Sequence, residues 1–442
     1  MERAMANVDL GPYRRIVQIF WDPEPTNDVV HDQPVWCLGR SYRLNGKKNI
    51  KADDHHPQTP PSVLKAETET QEAHDTAQPP NPPTNAPDTP PDSISSSFSS
   101  SLAYDDPVVD GGWPSGFISD FESKIWMTYR SEFEPIPRST NPQATSALSL
   151  SMRLKSQLGD QSPFSSDSGW GCMIRSGQSM LANTIAMVRL GRGDWRRGES
   201  VEEECRLLKD FADDPRAPYS IHSFVRHGAS ACGKYPGEWF GPSATARCIQ
   251  ALTNSHESSI RVYSTGDGPD VYEDEFMQIA KPPGEDFHPT LVLESQGKYY
   301  QYITRTFSAL TIRSGRPSSS HYFIGAQGSF LFYLDPHHTR VALPYHEDPI
   351  EYTSEEIASC HTPRLRRIHV REMDPSMLIG FLIQNEVDWQ ELKRNVKHVQ
   401  GKSIIHITDR NAVLGGSSEG RESAIDEVET LSDDDTDTIH EA

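Results

Sequence analysis

No cysteine of this chain has a second cysteine three positions away, so a C-x-x-C redox pair and a paired-cysteine zinc loop are both excluded. The six cysteines, Cys37, Cys172, Cys205, Cys232, Cys248 and Cys360, are widely scattered. Met1–Ile19 carries charges throughout and has no apolar core of the kind a secretory leader needs. Reduced thiols in the cytoplasm are therefore expected. Long hydrophobic runs are missing too. The best, Met377–Ile383, is far shorter than the roughly 20 residues that span a bilayer. Positive charge is in deficit, with 42 Lys and Arg against 63 Asp and Glu and a net charge of −21. Such a surface disfavours non-specific attachment to nucleic acid or anionic lipid. No phosphate loop or dinucleotide fingerprint occurs, and no histidine–cysteine spacing suits a metal. Neither a cofactor nor a metal is expected.

What is present is uneven. Hydrophobic residues make up 35% of the 442, and the polarity is concentrated in two stretches. Residues 51–110 hold Pro60–Pro61, Pro79–Pro80, Pro82–Pro83, Pro90–Pro91 and a serine run at Ser95–Ser101. A segment like this buries too little apolar surface to offset its ordering entropy, so it reads as a disordered insertion. Residues 401–442 end in the acidic run Ser432–Asp437 and read as a disordered tail. Residues 1–50 and 111–400 then form one catalytic domain, the first as its N-terminal segment.

Within that domain, helical spacing appears over Phe121–Tyr129, Met173–Leu190, Glu202–Phe211, Ser243–Leu252 (with Ser243 as N-cap) and Asp388–His398. Strands are expected at Arg14–Trp21, Val35–Leu38, His288–Leu293, Tyr322–Gly325, Phe330–Leu334, Arg367–Val370 and Met377–Ile383, with a hairpin turn at Gln327–Gly328–Ser329. Helices first and an antiparallel sheet afterwards describe an α+β architecture.

The chemistry concentrates at Asp167–Ser168–Gly169–Trp170–Gly171–Cys172, where a cysteine opens a long amphipathic helix. A thiol there feels unpaired N–H groups and the positive end of the helix dipole, which can lower its pKa from about 8.5 to about 3.5–7.5. The flanking glycines let a substrate backbone come close. A buried structural cysteine is the plainer alternative. Thiolate chemistry also needs a base and a group to orient it. Asp335 and His337 follow the expected strand Phe330–Leu334 at a two-residue spacing that sets them on one face, with Pro336 stiffening the backbone between them. An ordinary Asp-Pro turn with exposed His337 and His338 would read the same way.

Asp167–Gln178 (DSGWGCMIRSGQ) closely resembles the autophagins, the autophagy cysteine proteases. The likeness recurs, in family order, at Trp36–Gly39 (WCLG), Ile125–Arg130 (IWMTYR), Glu238–Pro242 (EWFGP), Gly315–Gly325 (GRPSSSHYFIG), Tyr333–His337 (YLDPH) and Asp374–Phe381 (DPSMLIGF). The resemblance implies a papain-like fold with a small auxiliary subdomain. It implies Cys172 as nucleophile, His337 as general base and acid, Asp335 as its orienter and Tyr129 as an oxyanion donor. Trp239 would line and gate the cleft. The implied reaction is cleavage after the C-terminal glycine of a GABARAP-type ubiquitin-like modifier, as free precursor or as conjugate with phosphatidylethanolamine. The implied setting is the cytoplasm, extending to the forming autophagosome and the nucleus, with membrane met only through the lipidated substrate.

The likeness breaks at Glu294–Ser314, which is shorter than the family segment and lacks its Tyr-Trp helix and Pro-Gln-Ser-x-Gly-Ile cleft loop. Phe307–Ile312 stands where that loop would be. The Glu294–Ser314 run favours a second reading, a modifier-binding protein of low turnover on a protease scaffold; a third reading is a hydrolase for another ubiquitin-like protein.

Overall fold

The computed structural model describes residues 24–27, 32–43, 111–148, 153, 162–295 except 192, 258, 267 and 269, 309–316, 319–373, 377–396 and 406–409. The described residues belong to one compact unit. The insertion at 51–110, the strand expected at Arg14–Trp21 and all but a short piece of the tail lie outside the described residues.

Its centre is a mixed sheet. The strands are β1 (Val35–Cys37), β2 (Arg40–Tyr42), β3 (Arg130–Ile136), β4 (Phe164–Ser166), β5 (Arg261–Ser264), β6 (Asp270–Tyr272), β7 (Thr290–Glu294), β8 (Ala309–Arg316), β9 (Ser319–Gln327), β10 (Phe330–Leu334), β11 (Arg340–Val341), β12 (Arg367–His369), β13 (Met377–Ile383) and β14 (His406–Thr408). The main sheet runs β12-β10-β9-β8-β13-β7-β5, with β1 added at β9 and β2 at β1. Most pairs are antiparallel as expected, but β5 and β7 run parallel.

The apolar run of β13 shows how the layers form. Leu378 and Leu382 point into the larger core, whereas Met377, Ile379, Phe381 and Ile383 point into a second one. Neighbouring β7 divides in the same way, Leu291 and Leu293 against Val292. Side chains alternate across a strand, so an unbroken apolar run means that both faces are covered. Each such side chain contributes about 1.5–3 kcal/mol on burial. The larger core joins this face to helices at Ser115–Glu122 (α1), Cys172–Arg189 (α2), Val201–Asp210 (α3) and Pro242–His256 (α4). The second core holds Glu273–Ala280 (α5) and Glu386–Val396 (α6), where Phe276 and Trp389 stack with ring centroids 4.0 Å apart. The architecture is α+β.

Three expectations need correcting. The helix expected at Phe121–Tyr129 ends at Glu122, and Ile125–Tyr129 runs without helical pairing. Buried N–H groups must be satisfied somewhere, and here distant partners do it. Ile125 N–H donates to Asn183 Oδ1 at 3.0 Å, Met127 N–H to Ser179 Oγ at 2.9 Å and Trp126 N–H to Cys360 O at 2.7 Å. Ser243 is not the cap of α4. Gly241 takes that place and Pro242 the first helical position, where a missing N–H costs nothing. Finally, Ala309–Ile312 does not form a loop over the cleft: it belongs to β8, paired between β9 and β13.

Candidate active site

The loop that delivers Cys172 is set from inside. Asp167 O accepts the N–H groups of Trp170 and Gly171 at 3.2 and 2.8 Å, which curls the chain into α2. Gly169 has φ +89°, a left-handed conformation that suits glycine. At Gly171 a Cβ atom would lie 2.3 Å from Asp167 Oδ2, so no larger residue fits there. Trp170 is wholly buried and its Nε1 donates to Ser166 O at 3.1 Å. Cys172 is thereby fixed as the first residue of α2.

Asp335 and His337 arrive from the end of β10. Asp335 Oδ1 accepts from His337 Nδ1 at 2.6 Å and from the His337 backbone N–H at 3.0 Å. The irregular segment Ile125–Tyr129 clamps this turn. Trp126 Nε1 donates to Asp335 O at 2.8 Å, Thr128 Oγ1 to Pro336 O at 2.8 Å and Tyr129 N–H to Pro336 O at 2.9 Å. The Tyr129 ring stands edge-on to His337, centroids 5.4 Å apart. Cys172 Sγ hydrogen-bonds with His337, with the Tyr129 hydroxyl and with the Ser320 backbone N–H.

The electrostatics follow from these contacts. Burial pushes the Cys172 thiol up, but the hydrogen bond and charge of His337, with Ser320 and Tyr129, outweigh it and leave the thiol below its ordinary range. Burial pushes the His337 imidazole down. Its hydrogen bonds to Asp335 and Cys172 and their charges reverse this and carry it to about 10. Asp335 is pushed up by burial yet held well below the carboxylate range by the hydrogen bond of His337 and the charge of His321. Burial and the charges of Cys172 and Asp167 keep the Tyr129 phenol protonated, hence a donor. A thiolate beside an imidazolium, a carboxylate behind the ring and donors around the sulfur are what acyl transfer through a thioester requires.

A profile of the Peptidase C54 catalytic domain matches residues 114–395. The chain belongs to that family, the autophagins. It is 94% identical over 469 aligned positions to "Cysteine protease ATG4" of Gibberella zeae, covering 100% of both chains. That alignment is longer than the 442 residues here, so the relative carries residues that this chain lacks. Identity to "Cysteine protease ATG4" of Pyricularia oryzae is 56%, over 99% of each chain. Identity to "Cysteine protease 1" of Neurospora crassa is 52%, over 96% of this chain and 90% of that one. This autophagin is a cysteine protease of the autophagy machinery.

The structure brings Cys172, His337, Asp335 and Tyr129 together. Trp239 is half-buried on the larger core beside α4, and its buried Nε1 has no hydrogen-bond partner among the described residues. Sequence reasoning missed His321, whose Nε2 is 3.7 Å from Asp335 Oδ1. The hairpin turn alone would pair Asp335 with Tyr322. An irregularity between Phe332 and Tyr333 shifts the register, so that Leu334 faces Tyr322 and the next step along sets His321 opposite Asp335. Also missed was a buried ionic group behind Cys172, in which Arg175 bridges Asp167 at 2.7 Å and Asp213 at 2.6 Å.

Proposed function

We propose that this autophagin hydrolyses the bond after the C-terminal glycine of a GABARAP-type ubiquitin-like modifier, in the precursor and in the conjugate with phosphatidylethanolamine. The carrying observation is the line from Cys172 through His337 to Asp335 at the start of α2. In this reading the Cys172 thiolate attacks the glycine carbonyl, and the oxyanion takes hydrogen bonds from the Cys172 N–H and the Tyr129 hydroxyl. Collapse breaks the C–N bond, and the amine leaves with the proton of His337, giving a thioester on Cys172. Water then attacks that thioester while His337 takes its proton, Asp335 holding the ring throughout. The released modifier ends in a glycine carboxylate. Peptide and lipid amide differ only in the leaving amine, so one site serves both.

Trp239 enters this proposal as a gate. A buried indole N–H without an acceptor costs about 1–3 kcal/mol. A movement that presents it to the modifier's C-terminal tail removes that penalty. The place of action is the cytoplasm, the nucleus and the forming autophagosome, with membrane contact through the conjugate. No helix among the described residues is long and apolar enough to cross a membrane.

The test is a panel of tagged ubiquitin-like precursors and lipid conjugates. Cleavage confined to the GABARAP-type members, and abolished with binding retained in Cys172→Ala, is the expected result. Preference for a different modifier would overturn the substrate. Binding without turnover by the unaltered chain would make it an adaptor.

A further inference from the structure

His321 belongs to none of the steps above, yet it faces the same carboxylate. It comes from β9, Asp335 and His337 from the end of β10, and the shifted register of that hairpin brings all three to one point. One donor atom from each lies within 4.8 Å of the others, two imidazole nitrogens and a carboxylate oxygen. The His321 ring is held edge-on to Tyr333, centroids 4.6 Å apart. The side chains of His321, Asp335 and His337 keep 14%, 23% and 26% exposure, so all three are in contact with solvent.

We propose that His321, Asp335 and His337 form a site for a borderline divalent cation, Zn²⁺ being the type, and that an ion held there stops the protease. Tetrahedral Zn²⁺ takes imidazole nitrogen and carboxylate oxygen at about 2.0–2.2 Å, which sets the donors about 3.3–3.5 Å apart. His321 Nε2 and Asp335 Oδ1, at 3.7 Å, are nearly there already. The His337 Nδ1–Asp335 Oδ1 pair, at 2.6 Å, has only to open by less than an ångström. Two imidazoles favour Zn²⁺ over Mg²⁺ or Ca²⁺, which prefer oxygen.

Inhibition follows from the tautomer. An ion on His337 Nδ1 displaces that proton to solvent and takes Asp335 away from the ring. The remaining proton is then fixed on Nε2, the nitrogen left to face Cys172. A ring in that state accepts no proton from water and gives none up short of becoming imidazolate. Departure of the amine and hydrolysis of the thioester both stop, although the thiolate itself persists.

The closest rival is zinc held by the Cys172 thiolate and His337 alone, which would leave His321 irrelevant. Calorimetric titration of metal-free Cys172→Ser protein with ZnCl₂ separates the two without using any substrate, so its outcome is independent of the modifier proposed above. Binding of one equivalent, weakened at least tenfold by adding either His321→Gln or His321→Ala, is expected. The glutamine variant keeps the bulk of the ring, and both should melt near the parent temperature. In active protein, the half-inhibiting ZnCl₂ concentration should rise at least tenfold in His321→Gln, each protein normalised to its own metal-free rate. MgCl₂ at the same concentrations should do nothing. Loss of zinc binding in Cys172→Ser, or equal zinc sensitivity with and without His321, would overturn the site.

Discussion

Two groups of charge flank Cys172, and they are built in opposite ways. Behind the nucleophile loop, Asp167 accepts from the Arg130 N–H at 2.7 Å and from Arg175 Nε at 2.7 Å. Arg175 reaches on to Asp213, which also accepts the Leu343 N–H at 2.8 Å. Arg130 continues to Val341 O and Ser359 O at 2.9 and 3.1 Å. These side chains are essentially inaccessible to solvent. Burial pushes the Arg175 guanidinium down, but Asp167 and Asp213 carry it above its ordinary range, so its charge is permanent. In front, Cys172, His337 and Asp335 form a group in which the thiol is buried while His337 and Asp335 remain about a quarter exposed, and thiol and imidazole exchange a proton in the reaction. The rear group uses arginine, which does not give up a proton; the front group uses histidine, which does. Fixed charge holds α2, β3 and β11 in register, and movable charge is left for the reaction.

Substitutions should therefore break one property at a time. His337→Ala should lower turnover of a modifier precursor by at least about a thousandfold, because it removes base and acid together. His338→Ala should stay within a few-fold of the parent, since its Nε2 is 3.9 Å from Asp335 Oδ2, beyond a hydrogen bond. Iodoacetamide modification of Cys172 across pH provides the independent reading. With His337 gone, burial dominates and the reactive pH should move upward. An unmoved profile would mean that His337 does not hold the thiolate.

Asp167→Asn should do the reverse. It leaves Arg175 with half its compensation in a dry site, which costs about 3–5 kcal/mol of stability. Urea unfolding measures that loss, while the rate per folded molecule should change far less than in His337→Ala. A stable Asp167→Asn protein with little activity would place Asp167 in the chemistry and dissolve the contrast between the two groups.

The front group was legible in the sequence and the rear one was not, for a physical reason. Gly-Trp-Gly-Cys before an amphipathic helix, and Asp-Pro-His after an apolar strand, are local patterns whose meaning survives without coordinates. Phe330–Leu334 and Met377–Ile383 were readable to the residue because each is an unbroken apolar run that stops where polar residues begin on either side. Asp167, Arg175 and Asp213 meet only through folding, and nothing in their spacing announces it. His321 was hidden by one extra residue in a hairpin. Ile125–Tyr129 misled because its apolar spacing is helical while its N–H groups are satisfied by Asn183, Ser179, Cys360 and Pro336. Periodicity reports which side chains are buried, not where the backbone finds its partners.

The smallest effect expected is a flat line. In the folded protein Cys172 lies below its ordinary range and His337 at about 10, so between those limits the pair holds one proton. In the unfolded chain His337 titrates at about 6.5 and Cys172 at about 8.5. From about pH 6.5 to 8.5 the unfolded pair also holds one proton, and over the part of that window in which the folded Cys172 is already the thiolate, stability from this source should not vary with pH. Below about 6.5 the unfolded chain binds the extra proton, so the contribution falls as pH falls. Above about 8.5 the unfolded chain has lost its last proton while the folded site keeps one, so the contribution falls as pH rises towards about 10. Each flank should slope by about 1.4 kcal/mol per pH unit at most. The measurement is the difference in unfolding free energy between the parent and Cys172→Ala/His337→Ala, from urea melts between about pH 5.5 and 10. Proton counting does not say which partner carries the proton; the alkylation profile does. A one-proton slope running through the middle of the window would show that the two groups titrate apart, and the front group would then be no more coupled than two neighbours on a surface.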